Sequence, residues 1–324
     1  MSEKPIVLVT HKLPASFIAP LQDHCHLIIG PEDATSLAPE LEANLHQAEG
    51  LFCLLTIPVN RVLLEKAPRL RVVSNMAVGY DNIDVAECTR RGIPVGNTPG
   101  VLTESTADLT MALLLAIARN LVPASQDARQ GRWKTWRPAG WLGVDLNGGT
   151  LGVIGMGKIG KAVTRRALGF GMKILYVDDI EQTEVPAQRV SLDELLRLSD
   201  FVSLHAPLTE QTRQLINART LRMMKPTSYL INAARGPIVD TQALYTALKE
   251  GWIAGAALDV TDPEPLPADH PLYALPNCLI VPHIGSATWA TRQKMAELAC
   301  QNLLAGLQGK PLPYCVNPEV QMLR

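Results

Sequence analysis

Short apolar runs alternate with helical patterns along the chain. In the first hundred or so residues, the runs at 5–10, 26–29, 50–55, 70–74 and 93–96 read as strands. The segments 15–23, 37–48, 60–66 and 84–91 carry helical spacing between them. From Thr150 the alternation resumes, with strands expected at 151–154, 173–177, 200–204, 228–231, 255–258 and 278–281. Helices are expected after Lys158 and at 191–198, 218–224, 241–250 and 287–307. Strands that alternate with helices build parallel sheets covered on both faces, so the fold class is α/β.

Between the two series lies a different kind of segment. Ser105-Thr-Ala-Asp108 has capping-box spacing and predicts a helix running from Ala107 to Asn120. That helix is apolar nearly all round and must be covered by its own chain or by a second subunit, so a homodimer is expected. The tract 131–141 holds Trp133, Trp136 and Trp141 beside arginine and proline, and reads as a long ordered loop.

Composition narrows the class. The 324 residues suffice for two domains, and 47% hydrophobic with 19% charged residues describes a globular chain. A net charge of −1 gives no electrostatic pull toward nucleic acid or an anionic membrane, and neither partner is expected. The six cysteines show no C-x-x-C pair and no zinc spacing, which predicts reduced thiols, a cytoplasmic compartment and no metal. The first residues run into a strand with no apolar leader. The stretch 109–122 is too short to span a membrane and is interrupted by Arg119 and Asn120.

Candidate chemistry starts at Gly155, Gly157 and Gly160, the G-x-G-x-x-G spacing between a strand and a helix. In a dinucleotide site these glycines provide a tight turn, backbone approach to a pyrophosphate and close helix–strand packing. Asp178 ends the next strand, about twenty residues on, where a ribose hydroxyl needs an acceptor. A carboxylate there repels a 2′-phosphate, so NAD(H) is preferred to NADP(H). Ligands of open α/β sheets bind beyond the carboxyl ends of the strands. Those ends carry His205, Arg235, Asp259, Asp262, Glu264 and His283. A histidine can protonate a carbonyl oxygen that becomes negative, a carboxylate beside it fixes the tautomer, and an arginine grips a substrate carboxylate. Taken singly, His205 reads as a structural histidine, and Trp133 and Trp136 as loop anchors or interface residues.

The fingerprint, Asn232-Ala-Ala-Arg-Gly236, Asp262-Pro-Glu-Pro265, Pro282-His-Ile-Gly-Ser286 and the loop at 75–84 together resemble the D-isomer-specific 2-hydroxyacid dehydrogenases over nearly the whole chain. Trp136-Arg-Pro138, Gly140-Trp-Leu142 and the stretch 286–292 look most like the glyoxylate/hydroxypyruvate reductases of that family. The resemblance implies a Rossmann-type NAD-binding domain, 101–286, inserted in a flavodoxin-like substrate domain built from 1–100 and 287–324. It implies reduction of small 2-oxo acids, with Arg235 binding substrate, His283 as acid/base and Glu264 as its partner. Val78 and Gly79 would offer backbone N–H groups to the substrate carboxylate, flanked by Ser286 and Arg292, with Trp141 closing its own or a neighbour's pocket. Thr106, Lys158, Ile159, Ala206, Pro207, Ala233 and Gly285 would line the cofactor, and Asp259 would hold its amide. Hydroxypyruvate-type reductases often use the phosphorylated cofactor, which keeps NADP(H) open. A dinucleotide-sensing scaffold of the corepressor type, or a family dehydrogenase acting on 2-keto-gluconate or phosphite, are the alternatives.

Overall fold

The computed structural model describes residues 4–323, and the chain divides into two compact units. One combines Met1–Leu102 with Thr288–Arg324, and the other is Thr103–Ala287. The first holds five parallel strands: β1 (Ile6–Val9), β2 (His26–Ile29), β3 (Gly50–Cys53), β4 (Val72–Asn75) and β5 (Val95–Gly96). Their order is β2-β1-β3-β4-β5, the flavodoxin-like order. β3 and β4 are buried at every position, as strands covered on both faces must be. One cover is the last helix, Trp289–Leu307, which comes close enough that a Cβ on Gly306 would lie 2.5 Å from Val72 Cγ2. Ser74 Oγ also donates to the Ala299 carbonyl on that helix, at 2.7 Å.

The second unit holds seven parallel strands: β6 (Thr150–Ile154), β7 (Lys173–Val177), β8 (Gln188–Arg189), β9 (Phe201–Leu204), β10 (Tyr229–Asn232), β11 (Gly255–Leu258) and β12 (Cys278–Ile280). The order β12-β11-β10-β9-β6-β7-β8 is doubly wound, and its direction of progression reverses between β6 and β9. That reversal is the switch point where dinucleotides bind in such sheets. Each sheet is parallel throughout, and the second has a Rossmann-type order.

The expected strands all form, with ends shifted by no more than two residues. β8 was not foreseen, because its two residues are exposed and carry no apolar signal. The pattern at 37–48 divides into a helix, Pro39–Asn44, and a 3-10 turn, Leu45–Gln47. The capping box expected at Ser105 does not open a helix: the helix spans Thr103–Ala118, so Ser105 already lies in its first turn. A capping box does form at Ser191, whose Oγ accepts from Glu194 N–H while Glu194 Oε2 accepts from Ser191 N–H.

The Thr103–Ala118 helix buries Ala107, Met111, Leu113, Leu114, Ile117 and Ala118 inside its own unit. Most of its cover is therefore intramolecular, and apolar exposure moves to the segment after it. There a helix not foreseen, Leu121–Arg129, buries none of its residues. Beyond it Trp133, Trp136, Leu142 and Val144 are exposed. Among the described residues no single helix is long and apolar enough to cross a membrane. All six cysteines are free thiols.

Candidate active site

In the second unit, β6 runs into a turn whose glycines answer three different constraints. Gly155 has φ +92°, and a Cβ on it would lie 2.6 Å from Ala206 N, so the turn and the segment after β9 press together. Gly160 lies on the helix Lys158–Gly169, where a Cβ would meet the Gly155 carbonyl oxygen at 2.2 Å. At Gly157 a Cβ would meet nothing within 4 Å. Gly157 is also the N-cap of that helix and has no side-chain cap, so the first helical N–H groups face a smooth open approach. A pyrophosphate suits such a place, since the helix dipole and the N–H groups both favour negative charge. Lys158 is exposed and Ile159 half-buried on the first turn of the same helix. Asp178 follows β7, and its carboxylate accepts from Met156 N–H at 2.7 Å and Ile180 N–H at 3.0 Å, which ties the acid to the glycine turn. These residues fit a dinucleotide cofactor.

The strands on the other side of the switch point carry the ionisable groups. β10, β11 and β12 pair in register, with Asn232 beside Leu258 and Leu258 beside Ile280. Arg235, Glu264 and His283 follow these three strands in turn. The Asn232 side chain folds the first turn, donating to the Arg235 carbonyl at 2.9 Å and accepting from Ala234 N–H at 3.1 Å. Gly236 closes it against the next loop, for a Cβ there would lie 1.8 Å from the Thr261 carbonyl oxygen. Thr261 N–H in turn donates to Glu264 Oε2 at 3.3 Å. His283 Nδ1 and Glu264 Oε1 are 2.5 Å apart. The ring thus has one nitrogen engaged by a carboxylate, and Glu264 and the Arg235 turn share the Thr261 backbone.

Asp259 organises the remaining loop. It is 2% exposed, and its carboxylate accepts from Ile284 N–H at 2.6 Å and Gly285 N–H at 2.9 Å. Burial pushes its pKa up, against the pull of those two N–H groups. A Cβ on Gly285 would lie 3.0 Å from Asp259 Oδ2 and 3.4 Å from Thr106, so these three sit together. Ala206, Pro207 and Ala233 lie just past β9 and β10, and Ser286 one residue beyond Gly285. Trp141 is half-buried, donates from Nε1 to Asp127 at 2.8 Å and carries the Arg137 guanidinium 4.4 Å from its ring centroid. In the first unit, Val78 and Gly79 are half-buried in the loop after β4, and Arg292 lies in the first turn of the last helix.

Sequence reasoning passed over the residues that shape these turns: Asn232, Thr261 and, in the first unit, Asn75 and Asn97. A polar residue at a strand end was the only sign of them. His205 is a second surprise. Its Nε2 lies 2.8 Å from Ser203 Oγ, but its buried Nδ1 has no partner among the described residues. It is a structural histidine only half satisfied.

Comparison with known proteins agrees with this geometry. Residues 111–285 match the family described as D-isomer specific 2-hydroxyacid dehydrogenase, NAD binding domain. The chain is 48% identical to a glyoxylate reductase of Korarchaeum cryptofilum, an alignment that spans 99% of this chain and 98% of that one. A solved structure from Thermus thermophilus superposes with a TM-score of 0.91 at 47% identity, covering 96% of this chain and 99% of that one. An NADPH-dependent glyoxylate/hydroxypyruvate reductase from Sinorhizobium meliloti, solved with NADP and malonate, gives 0.88 at 33% identity, with 98% of each chain covered. The chain belongs to the D-isomer-specific 2-hydroxyacid dehydrogenases. It is thus an oxidoreductase of the NAD(P)-dependent kind.

His205 yields a pH test. Burial pulls its pKa from 6.5 down to about 4, so the folded protein resists a proton that the unfolded chain accepts. Its contribution is fully present above pH 6.5 and is lost as the pH falls toward about 4. The size is on the order of 3 kcal/mol, since each tenfold change in proton affinity is worth about 1.4 kcal/mol. Urea unfolding across this range should show a steeper acid loss in the wild type than in His205→Asn. Parallel curves would refute the assignment.

Proposed function

We propose that the chain reduces small 2-oxo acids, glyoxylate and hydroxypyruvate first, to D-2-hydroxy acids. The observation that carries this reading is the His283–Glu264 pair, 2.5 Å apart, at the strand ends beside the Arg235 turn. Glu264 accepts a hydrogen bond from Nδ1–H and orients the ring, so that the imidazolium can hand its Nε2 proton to the carbonyl oxygen and remain as the neutral Nδ1–H form. Arg235 binds the substrate carboxylate and stabilises the negative charge that develops beside it. The glycine turn would hold the nicotinamide cofactor, which when bound would supply the hydride. Val78 and Gly79 offer N–H groups to the same carboxylate, and Ser286 and Arg292 flank it. Trp141 shields the pocket of its own or of a partner subunit. Asp259 would hold the carboxamide of the cofactor. The names of the Korarchaeum and Sinorhizobium relatives support the substrate class.

Thr106, Gly155, Gly157, Lys158, Ile159, Gly160, Asp178, Ala206, Pro207, Ala233 and Gly285 line the cofactor in this reading. Asp178 makes NAD(H) the preferred form in this reading, because a carboxylate beside the ribose would repel a 2′-phosphate. The NADPH-dependent Sinorhizobium relative keeps NADP(H) as the weaker alternative. A homodimer is supported by apolar exposure gathered in one arm, with Trp136 79% and Leu142 69% exposed. The compartment is the cytoplasm, supported by six unpaired thiols. Cell fractionation that found the protein outside it would overturn this point.

Three experiments test these points. Glyoxylate, hydroxypyruvate, pyruvate and 2-keto-gluconate assayed with NADH and NADPH should show turnover of the first two with NADH. In the same assay Arg235→Ala should lower kcat/KM by about 100-fold or more, while NADH affinity by fluorescence titration stays unchanged. Turnover of none of the four acids, or wild-type kcat in the variant, rejects the reading. Asp178→Ser should narrow the preference for NADH over NADPH by about tenfold or more; an unchanged ratio removes Asp178 from cofactor choice. In sedimentation, the wild type should run as a dimer and a Trp136→Glu, Leu142→Glu double variant as a monomer. A monomeric wild type ends that proposal.

A further inference from the structure

The loop after β4 is held by its carbonyls. Thr98 N–H donates to the Ala77 carbonyl at 2.8 Å. Asn97 Nδ2 donates to the Val78 carbonyl at 2.9 Å, and Asn75 Nδ2 to the Gly79 carbonyl at 2.8 Å. In a trans peptide the carbonyl of one residue and the N–H of the next point in opposite directions. Anchoring three consecutive carbonyls therefore turns the N–H groups of Val78, Gly79 and Tyr80 away from their anchors. Among the described residues none of these three N–H groups has an acceptor. Val78 and Gly79 are half-buried and Tyr80 is 43% exposed, so the loop is not sealed inside the core. N–H groups left without acceptors in this way are available to an anion.

The anchors are themselves braced. Asn302, fully buried on the last helix, donates to the Asn97 carbonyl at 2.9 Å and accepts from Tyr314 N–H at 3.0 Å. Gly96 makes room for it, since a Cβ there would lie 2.7 Å from the Asn302 side chain. Asn75 is fully buried, and its Oδ1 accepts from Cys53 Sγ at 3.6 Å. Asn82 ties the far side of the loop, donating to the Leu54 and Ile57 carbonyls. Two of these amides, Asn75 and Asn302, are fully buried, and burying an amide is offset only by hydrogen bonds such as these.

We infer that Asn75 and Asn97 are positioning residues that preorganise a cradle of three N–H groups, on Val78, Gly79 and Tyr80, for the substrate carboxylate. This rests on the 2-oxo acid reading above. It adds Tyr80 to the expected contacts and names the side chains that aim the N–H groups of Gly79 and Tyr80, that of Val78 being aimed by the Thr98 backbone. Neither asparagine touches the reacting atoms; each acts through a carbonyl it holds.

The test compares wild type with Asn97→Ala and with Asn97→Leu, which keeps similar bulk without the donor and serves if the alanine variant folds poorly. Thr98 still holds the Ala77 carbonyl in both. Steady-state kinetics on glyoxylate and on its methyl ester are combined with oxalate inhibition and NADH titration. The expected result is a rise of about tenfold or more in KM for glyoxylate and in the oxalate inhibition constant. Change in kcat should be smaller, and NADH affinity should hold. Preference for the acid over the ester should shrink by the same factor, because only the acid carries the charge the cradle receives. An active wild type whose variants keep their KM, or lose acid and ester equally, overturns the inference alone. A wild type that reduces no 2-oxo acid overturns the functional reading and the inference with it.

Discussion

The geometry of the reactive edge depends on one buried carboxylate. Asp259, at the end of β11, draws two successive N–H groups, those of Ile284 and Gly285, onto its oxygens. The Asp259 carbonyl meanwhile accepts from His283 N–H at 2.9 Å. Together these bonds bend the chain sharply after β12 and hold His283 at φ +50°, a left-handed conformation unfavourable for a residue with a side chain. Such strain persists only where the surroundings over-determine it. Here the product is a histidine placed against Glu264. Loss of the Asp259 carboxylate would take the acceptor from the Ile284 and Gly285 N–H groups, the second of them buried, and release the turn that aims the ring.

The cofactor side of the sheet uses the opposite strategy. It works by leaving atoms out. Gly155 and Gly160 are required by backbone a short distance away, whereas Gly157 is required by nothing in the chain itself. A glycine that fits an open space is accounted for by what approaches it, and the uncapped helix start beside it favours a phosphate. Asp178 adds a second function, since by binding Met156 N–H it fixes the turn as well as presenting charge. One carboxylate thereby braces the shape of the glycine turn.

Much of this was legible in the chain. Parallel strands buried on both faces are short, nearly continuous apolar runs, so their positions could be read directly. Strand ends in such sheets are where ligands bind, which made Arg235, Glu264 and His283 conspicuous. The features that escaped notice share a physical cause. β8 is two exposed polar residues, and the Leu121–Arg129 helix buries nothing, so neither leaves an apolar period to detect. Ser105 had the right neighbours for a cap, but the helix had already begun at Thr103. Asn232, Asn75 and Asn97 act by bonding main-chain carbonyls, and the carbonyl a side chain will find is not written in its own neighbourhood. Asn97 reaches Val78 across nineteen positions.

Still longer reach explains why the chain leaves its first unit and returns to it. Asn97 is braced by Asn302, Ser74 by Ala299, and Val95 N–H donates to Asn317 Oδ1 at 2.8 Å. Phe17 meets Trp289 edge to face, with ring centroids 6.0 Å apart. The loop of Val78 and Gly79 is thus backed by residues more than two hundred positions later in the chain. The Thr103–Ala287 unit draws its core from a continuous stretch, but the first unit cannot complete its own until the last helix is present. The discontinuity is therefore more than a matter of chain order. It makes the backbone of the Val78 loop depend on the C-terminal segment, through Asn302 and Asn97.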